Sequence, residues 1–253
     1  MKLPCYIINL KDSLENFEKQ KPFLMAEGLD PVRFIGVDGR KDEYLEYPDD
    51  VTTQCKLTCP KSAIGCGLSH VLLAQHLRDI GVPIALILED DAFPKVCDLL
   101  ENIQQTLNET PEDWEMIKLH SDNGCKNDSI KAGMGSMAAY ILNSAGIQKL
   151  ASLKVNYHID HQIFYGPVKM MSYKSRWNLF WTDESSSTNR GSNTKWLNIK
   201  SGTGEKTLST VITYNFFRIP GTNIEIPIWV GIIAMILIII LVLKILFRFT
   251  KRT

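Results

Sequence analysis

Short β-rich segments alternate with helical patterns along most of the chain, and this alternation limits the possible folds more than any other feature. The strand candidates are rich in β-branched and aromatic residues, and the segments between them repeat leucine at helical spacing. This order predicts an α/β fold with a βαβ-type, mostly parallel sheet. An apolar run without strict alternation, as at 84–88, fits a central strand that is covered on both faces. We predict strands at residues 3–10, 32–38, 84–90, 115–120 and 136–142 and helices at 68–80, 99–107 and 144–153.

The charge balance bears on the partners that the chain can have. Its 253 residues include 28 basic and 28 acidic side chains, so the formal net charge is zero. A nucleic-acid-binding protein usually carries a basic surplus. We therefore expect no nucleic-acid partner.

The longest apolar run lies near the C-terminus. Residues 228–243 carry no charge, and the run continues past Lys244 to residue 247. About 20 helical residues cross a bilayer core of roughly 30 Å, so the run predicts one transmembrane helix. Ahead of it, 207–227 fits either a short hairpin or an apolar juxtamembrane piece. The predicted divisions are a folded domain at 1–182, a linker and juxtamembrane segment at 183–227, the transmembrane helix at 228–247 and a basic tail at 248–253.

Two opposing signals bear on the orientation of this predicted anchor. The basic tail favours a cytosolic C-terminus, whereas the N-terminus lacks the pattern of a signal peptide. A short tail crosses a membrane more readily than a large domain that has no translocation signal ahead of it. We therefore expect a single-pass membrane protein whose N-terminal domain faces the cytosol.

Three adjacent acids, Glu89, Asp90 and Asp91, follow the apolar strand at 84–88. Ligands of an open α/β sheet bind beyond the carboxyl ends of its strands. If the backbone stays extended, Glu89 and Asp91 point to one side and Asp90 to the other. Such a pair can hold one hard cation, Mg²⁺ or Mn²⁺, through its oxygens. The alternative is a solvated turn at the end of the strand.

The segment Ile64-Gly-Cys-Gly-Leu-Ser-His70 places two glycines beside Ser69 and His70 at a predicted helix start. Glycines there let the backbone approach a ligand closely, and exposed amides can receive phosphate oxygens. The segment lacks the Gly-Lys-Ser/Thr sequence of a P-loop. His70 and His76 are six residues apart and so do not form an i, i+4 metal pair. The alternative is that each histidine is a packed polar residue.

Three of the six cysteines form the pattern C-x3-C-x6-C at Cys55, Cys59 and Cys66. No fourth ligand follows at a distance typical of zinc fingers. We therefore predict unpaired thiols there rather than a zinc site. Cys5 and Cys97 have apolar neighbours and are predicted to be buried thiols.

Several motifs in this order resemble glycosyltransferase family 25, which includes bacterial lipopolysaccharide sugar transferases and collagen galactosyltransferases. The spacing between the glycine-containing segment and the acids is the most specific part of the resemblance. The motifs that carry it are YIINL at 6–10, VDG at 37–39, IGCGLSH at 64–70, LILEDD at 86–91, MAAYIL at 137–142 and Ile159-Asp160.

The resemblance implies a GT-A-like, Rossmann-type fold and an inverting transfer from a nucleotide-diphosphate sugar, often UDP-galactose or UDP-glucose, to a hydroxyl. The acceptor would be a glycan, a lipid or a protein. The run at 89–91 would correspond to the family's Asp-x-Asp motif, with Glu89 and Asp91 on Mn²⁺ or Mg²⁺. Asp160 is the first candidate for the base and Asp122 the second. The residues expected near the donor are Asn9, Lys11, Asp38, Ser69, His70 and Asp90.

Two other functions fit the same residues. One is a catalytically inert, membrane-anchored relative that binds a nucleotide sugar or a protein partner. The other is a metal-dependent phosphohydrolase, which the sequence favours less because it lacks the histidine clusters that such sites often use.

Overall fold

The computed structural model describes residues 3–120, 131–132, 136–165, 168–183, 215–218 and 225–250. Its centre is a seven-stranded sheet in the order β2-β1-β3-β7-β5-β8-β6. The strands of this sheet are β1 Cys5–Leu10, β2 Pro31–Gly36, β3 Ile84–Glu89, β5 Met116–Lys118, β6 Lys131–Ala132, β7 Ala139–Asn143 and β8 Ser172–Lys174.

Two short antiparallel pairs lie outside the central sheet, and seven α-helices are described. Strand β4 (Ala92–Pro94) pairs with β9 (Phe180–Thr182), and β10 (Asn215–Arg218) pairs with β11 (Glu225–Pro227). The helices are α1 Leu14–Ala26, α2 Thr53–Thr58, α3 Lys61–Asp79, α4 Leu99–Glu109, α5 Ser144–Ala151, α6 Ile159–Tyr165 and α7 Ile228–Thr250.

Strand direction decides where the sheet can bind a ligand. Strands β1, β2 and β3 are parallel, and β5 is parallel to β8. Strand β7 is antiparallel to both β3 and β5, so β3 and β5 run the same way. Five strands thus share one direction and two oppose it. The prediction of an α/β fold with a mostly parallel sheet is confirmed.

The central strands are buried on both faces, as their apolar sequences predict. In β3, Ala85 and Ile87 belong to one hydrophobic cluster, while Leu86 and Leu88 belong to another on the opposite face. Helices α3 and α5 cover the first cluster, and α1 and α4 cover the second. All five predicted strands and all three predicted helices are present, but their ends shift, and the helix predicted at 68–80 begins seven residues earlier, at Lys61.

The glycine-containing segment differs from its prediction. Helix α3 begins at Lys61, so Gly65 and Gly67 lie inside the helix and not at its start. A Cβ at Gly65 would lie 2.5 Å from the backbone nitrogen of Gly39, and one at Gly39 would lie 1.7 Å from the carbonyl oxygen of Lys61. Gly39 and Gly65 therefore allow the backbone of helix α3 to pack directly against the backbone of the loop after β2, rather than against a ligand.

Two predictions about cysteine are wrong. Cys55 and Cys59, one helical turn apart in and after α2, form a disulfide with a Cα–Cα distance of 4.8 Å. Cys97, predicted to be buried, is exposed, because it lies in the turn before α4 and outside the apolar cluster. Cys5 is buried as predicted, and burial raises the pKa of its thiol far above the ordinary value.

The predicted membrane anchor is also wrong. Within the described parts of the chain, no helix combines the length and the apolar character that crossing a membrane requires. This finding overturns both the transmembrane helix predicted at 228–247 and the cytosol-facing membrane location derived from it. Upstream, β10 and β11 form an antiparallel pair, as a hairpin would.

Candidate active site

A cleft lies at the carboxyl ends of β1, β2 and β3, beside helix α3. This is the edge at which open α/β sheets bind ligands. The two apolar walls come from Ile8 and Val37, and the rest of the lining is mainly polar. Its polar side chains include Asp38, Arg40, His70, Glu89, Asp90 and Asp91.

Glu89, the last residue of β3, turns towards helix α3. Its Oε1 lies 3.2 Å from Nε2 of His70 and 3.6 Å from Sγ of Cys66. Burial acts to raise the pKa of Glu89, but the hydrogen bond and charge of His70, helped by Cys66 and His120, hold that pKa below its ordinary value. Glu89 is therefore a carboxylate that the surrounding chain keeps ionised.

Asp90 turns towards the opposite face, where α1 packs. Its Oδ2 accepts hydrogen bonds from Nδ2 of Asn9 at 2.6 Å and of Asn16 at 3.3 Å. The Asn9 side chain also donates to the carbonyl of Ser13 and accepts from Nε of Arg33 at 2.6 Å. Glu89 and Asp90 thus diverge as an extended backbone dictates. Asn9 acts by holding Asp90 in place.

Asp91 has the least compensated carboxyl group of the three acids. Its Oδ1 is buried and has no hydrogen-bond partner among the residues that the structure describes. Burial, together with repulsion from Glu89 and Asp90, raises the pKa of Asp91 to about 8. A cation at this position would relieve both the burial cost and the repulsion.

A side chain of helix α1 holds the turn at Asp90 and Asp91 in place. Gln20, which is fully buried, donates through Nε2 to the carbonyl oxygen of Glu89 at 3.0 Å and also to that of Ala92. One side chain thereby holds the backbone on both sides of Asp90 and Asp91. The positions of the acids are therefore set by packing rather than by a loose loop.

Asp38 follows β2 and is paired within its own loop. Its Oδ1 accepts from Nε of Arg40 at 2.8 Å and its Oδ2 from Nη2 at 2.7 Å, and Oδ1 also caps the short 3-10 turn Gly39–Lys41. The Arg40 hydrogen bonds, working against burial, hold the pKa of Asp38 below its ordinary value. Because the Arg40 side chain is 53% exposed, this pair presents an anchored guanidinium at the cleft.

Ser69 and His70 lie on the face of α3 that packs on the sheet. Ser69 Oγ donates to the carbonyl of Gly65 at 2.7 Å and accepts from the backbone nitrogen of Val37 at 2.8 Å, which ties the helix to the loop after β2. His70 is 1% exposed, and its Nδ1 lies 2.8 Å from the hydroxyl of Tyr140. Both residues are packed polar groups that border the cleft.

Lys11, predicted near the donor, is exposed in the turn after β1. Its carbonyl oxygen accepts a hydrogen bond from Nη2 of Arg33 at 3.0 Å. The side chain is not part of the cleft lining. The structure therefore places Lys11 beside the cleft rather than in it.

Asp160 lies in the first turn of α6, with its side chain 38% exposed. Its Oδ1 lies 3.9 Å from Nζ of the buried Lys118, which is too long for a hydrogen bond. Burial lowers the pKa of Lys118 to about 8, although the charges of Asp160 and Glu89 act to raise it. Asp160 is thus electrostatically linked to the acids but is not among the cleft-lining residues. Asp122 lies outside the described residues.

Sequence patterns did not identify three residues near the site: Cys66, Lys118 and Arg40. Cys66 lies four residues before His70, a spacing that puts two side chains on one helix face and could have indicated a pair. Lys118 lies in an apolar strand pattern that predicts only burial, and Arg40 belongs to no motif.

Comparisons with known proteins give one solved structure of low similarity and one matching family model. The solved structure of A197 from STIV is 10% identical, with a TM-score of 0.35 over 69% of this chain and 81% of that chain. No curated protein sequence matches. The model of glycosyltransferase family 25 (LPS biosynthesis protein) matches residues 2–163, more than half of the chain. The chain therefore belongs to glycosyltransferase family 25.

Proposed function

We propose that this protein transfers a hexose, galactose or glucose, from a UDP-sugar to a hydroxyl of a glycan, lipid or protein acceptor with inversion. Family membership supports glycosyl transfer in general. The proposal of a UDP-sugar donor rests on the buried Oδ1 of Asp91 at the ligand-binding edge of the sheet. This oxygen has no hydrogen-bond partner among the described residues.

The acids fit a hard divalent ion. Carboxylate oxygens are the ligands that Mn²⁺ and Mg²⁺ prefer, and Glu89, at the end of β3, and Asp91, two residues later in the following turn, provide two. The repulsion that raises the pKa of Asp91 is what such an ion would remove. When bound, the ion would neutralise charge on the departing nucleoside diphosphate.

Donor contacts are proposed for the two sides of the cleft. Asp38 holds the Arg40 guanidinium at the cleft, where it can meet a phosphate or a ribose. Asp90 keeps one carboxylate oxygen bound to Asn9, which leaves its other oxygen for the nucleotide. The remaining proposed donor residues are Ser69 and His70, which act through packing, and Lys11, which lies beside the cleft.

Asp160 is proposed as the base that takes the proton of the acceptor hydroxyl. An inverting transfer requires such a group on the side opposite the leaving nucleotide. Asp160 is partly exposed, and Oδ1 has no hydrogen-bond partner among the described residues. Nζ of the buried Lys118 lies 3.9 Å from this oxygen and provides a positively charged neighbour on the side of the sheet.

A donor panel tests this proposal. The purified full chain is incubated with UDP-hexoses and either Mn²⁺ or Mg²⁺, and UDP release is measured. We expect release with at least one donor, dependent on the ion and lost in Asp91→Ala. Asp79→Asn, at an exposed carboxylate on the last turn of α3, is the matched control and should retain activity.

Two results would contradict the proposal. One is the absence of turnover with every donor, and the other is full activity in Asp91→Ala. Thermal stabilisation by UDP and Mn²⁺ without turnover would instead favour a non-catalytic relative that binds the nucleotide sugar.

A further inference from the structure

A thiol, an imidazole and a carboxylate converge at the cleft side of helix α3. Cys66 and His70 occupy positions i and i+4 of the helix, and Glu89 reaches them from the end of β3. One ligand atom from each of the three lies within 4.8 Å of the other two. Cys66 is not disulfide-bonded, so its sulfur keeps the ability to ligate a metal as a thiolate.

We infer that Cys66, His70 and Glu89 form a binding site for a borderline-soft divalent ion, with Zn²⁺ as the best match. This inference does not depend on the proposed transfer reaction. A mixed sulfur, nitrogen and oxygen set favours Zn²⁺ or Co²⁺ over Mg²⁺, which prefers oxygen ligands alone.

Two of the three distances between the ligand atoms match those around a tetrahedral ion. Zn–N and Zn–O bonds of about 2.0 Å and a Zn–S bond of about 2.3 Å place ligand atoms roughly 3.3–3.6 Å apart. Oε1 of Glu89 lies 3.2 Å from Nε2 of His70 and 3.6 Å from Sγ of Cys66. Glu89 is thus already spaced as a ligand relative to both partners, and all three ligand atoms lie within 4.8 Å of one another.

The present hydrogen bonds also fit the exchange of protons for a metal. The thiol of Cys66 donates to Oε1 of Glu89, and Nε2 of His70 faces the same oxygen. A divalent ion between the three atoms would displace the thiol proton of Cys66 and leave the imidazole proton on Nδ1 of His70, because metal binding requires a thiolate and an unprotonated ligating nitrogen. Zinc uptake by this site therefore releases the thiol proton.

The surroundings of His70 resemble the outer shell of a metal site. Its Nδ1 lies 2.8 Å from the hydroxyl of Tyr140, and both side chains are buried. A partner on the second ring nitrogen fixes the orientation of a ligating histidine and leaves the other nitrogen directed at the ion. With three protein ligands, the fourth position of a tetrahedral ion remains open, as in catalytic rather than structural zinc sites.

The site is compatible with the hard-ion pair of the proposed function. Glu89 uses Oε1 towards Cys66 and His70, so its Oε2 remains for an ion shared with Asp91. The two sites differ in ligand chemistry: Asp91 offers only oxygen, whereas Cys66 offers sulfur. Spectroscopy that detects a metal–sulfur bond therefore reports on the Cys66 site alone.

Cobalt substitution tests the inference directly. The full chain is stripped of metal with a chelator, kept without reductant so that the Cys55–Cys59 disulfide stays closed, and titrated with Co²⁺ alone. We expect the sulfur-to-cobalt charge-transfer absorption of a thiolate ligand, bleached by Zn²⁺ but not by Mg²⁺. Cys66→Ser should lose this absorption, whereas Cys97→Ser, at the exposed thiol, should keep it.

Two further measurements keep the test decisive if the Cys66 variant folds poorly. In the wild-type chain, Zn²⁺ should protect Cys66 from alkylation while Cys97 stays reactive, as read by peptide mass spectrometry. Tyr140→Phe should keep the absorption but bind Co²⁺ about 10- to 100-fold more weakly. Absence of the charge-transfer band, its persistence in Cys66→Ser, or equal alkylation of Cys66 with and without Zn²⁺ would overturn the inference.

Discussion

The two sides of the cleft differ in how completely their polar groups are paired within the chain. On the side of β1 and β2, which we term the paired side, Asp38 is held by Arg40 and Asp90 is held by Asn9. Buried polar groups that are fully paired stabilise a fold and leave little for a ligand to add. The paired side therefore sets the shape of the cleft.

The end of β3, together with the start of α6, which lies outside the cleft lining, we term the open side. Oδ1 of Asp91 and Oδ1 of Asp160 are buried atoms without a hydrogen-bond partner among the described residues. Leaving such an atom without a hydrogen bond destabilises the folded state by about 1–3 kcal/mol, so native proteins contain few such atoms outside functional sites. The contrast indicates that ligands complete the open side. Substitutions there should affect activity, and substitutions of Asn9 and Asp38, which hold Asp90 and Arg40 on the paired side, should affect stability.

The largest effect is expected from Asp91→Asn on the open side. The variant should lose roughly 10²- to 10³-fold in the rate of UDP release, because it removes a charge that the ion requires. Its thermal midpoint should be unchanged or higher, since burial and the neighbouring acids make the charged form costly. A midpoint that falls by several degrees would make Asp91 a structural residue and break the comparison.

Gly65→Ala tests the packing under the paired side. The new Cβ would meet backbone atoms of Val37 and Gly39 at 2.5 Å, and backbone yields little, so we expect a loss of about 3 kcal/mol in the free energy of unfolding. Gly67→Ala, on the same helix, meets the side chain of Val155 at 3.1 Å and should cost less than half as much. Urea unfolding of the two variants measures the difference, and equal losses would contradict it.

Asn9→Ala removes a side chain that hydrogen-bonds to three other residues on the paired side, and we term it the hub of that side. The side chain makes hydrogen bonds with Ser13, Arg33 and Asp90, so its loss should lower the free energy of unfolding by about 2 kcal/mol. Asn16→Ala is the control, because its one bond to Asp90 is 3.3 Å long and its effect should be smaller. If chemical denaturation ranks the two variants in the reverse order, Asn9 is not the hub.

The smallest effect is expected from Asp38→Asn, and it depends on pH. Hydrogen bonds from Arg40, against the effect of burial, lower the pKa of Asp38. A depressed carboxyl pKa stabilises the fold above the unfolded value of about 3.9 and ceases to do so as pH falls through the folded value. The variant should therefore be about 1 kcal/mol less stable at pH 7, and this difference should shrink as pH falls from 5 towards 3. Urea titrations across this pH range check this, and a difference that grows in acid would oppose it.

The positions of the main strands and the acids at the end of β3 could be predicted from sequence because they follow local rules. An apolar run without alternation predicts burial on both faces, and the residue after such a strand lies at the ligand edge. Glu89, Asp90 and Asp91 obey both rules. The helices at 99–109 and 144–151 likewise follow spacing and capping signals.

The remaining features depend on contacts between distant parts of the chain. The function of Gly65 could not be predicted, because the backbone it meets belongs to the loop after β2. Nor could the pairing of Asp90 with Asn9, which are 81 residues apart in the sequence. Lys118 has the sequence context of a strand residue, and only the fold places Asp160 beside it. The i, i+4 pair of Cys66 and His70 was visible, but its third member, Glu89, was not.

The most direct test of the central claim is the coupling between UDP and Mn²⁺ binding, measured by isothermal titration calorimetry. If the open side holds an ion that contacts the diphosphate, UDP binds the wild-type chain at least about 10-fold more tightly with Mn²⁺ than with chelator, a coupling of about 1.4 kcal/mol. Asp91→Asn should lose this coupling, whereas Asp79→Asn should keep it. Equal UDP affinity with and without Mn²⁺ in the wild-type chain would contradict the account.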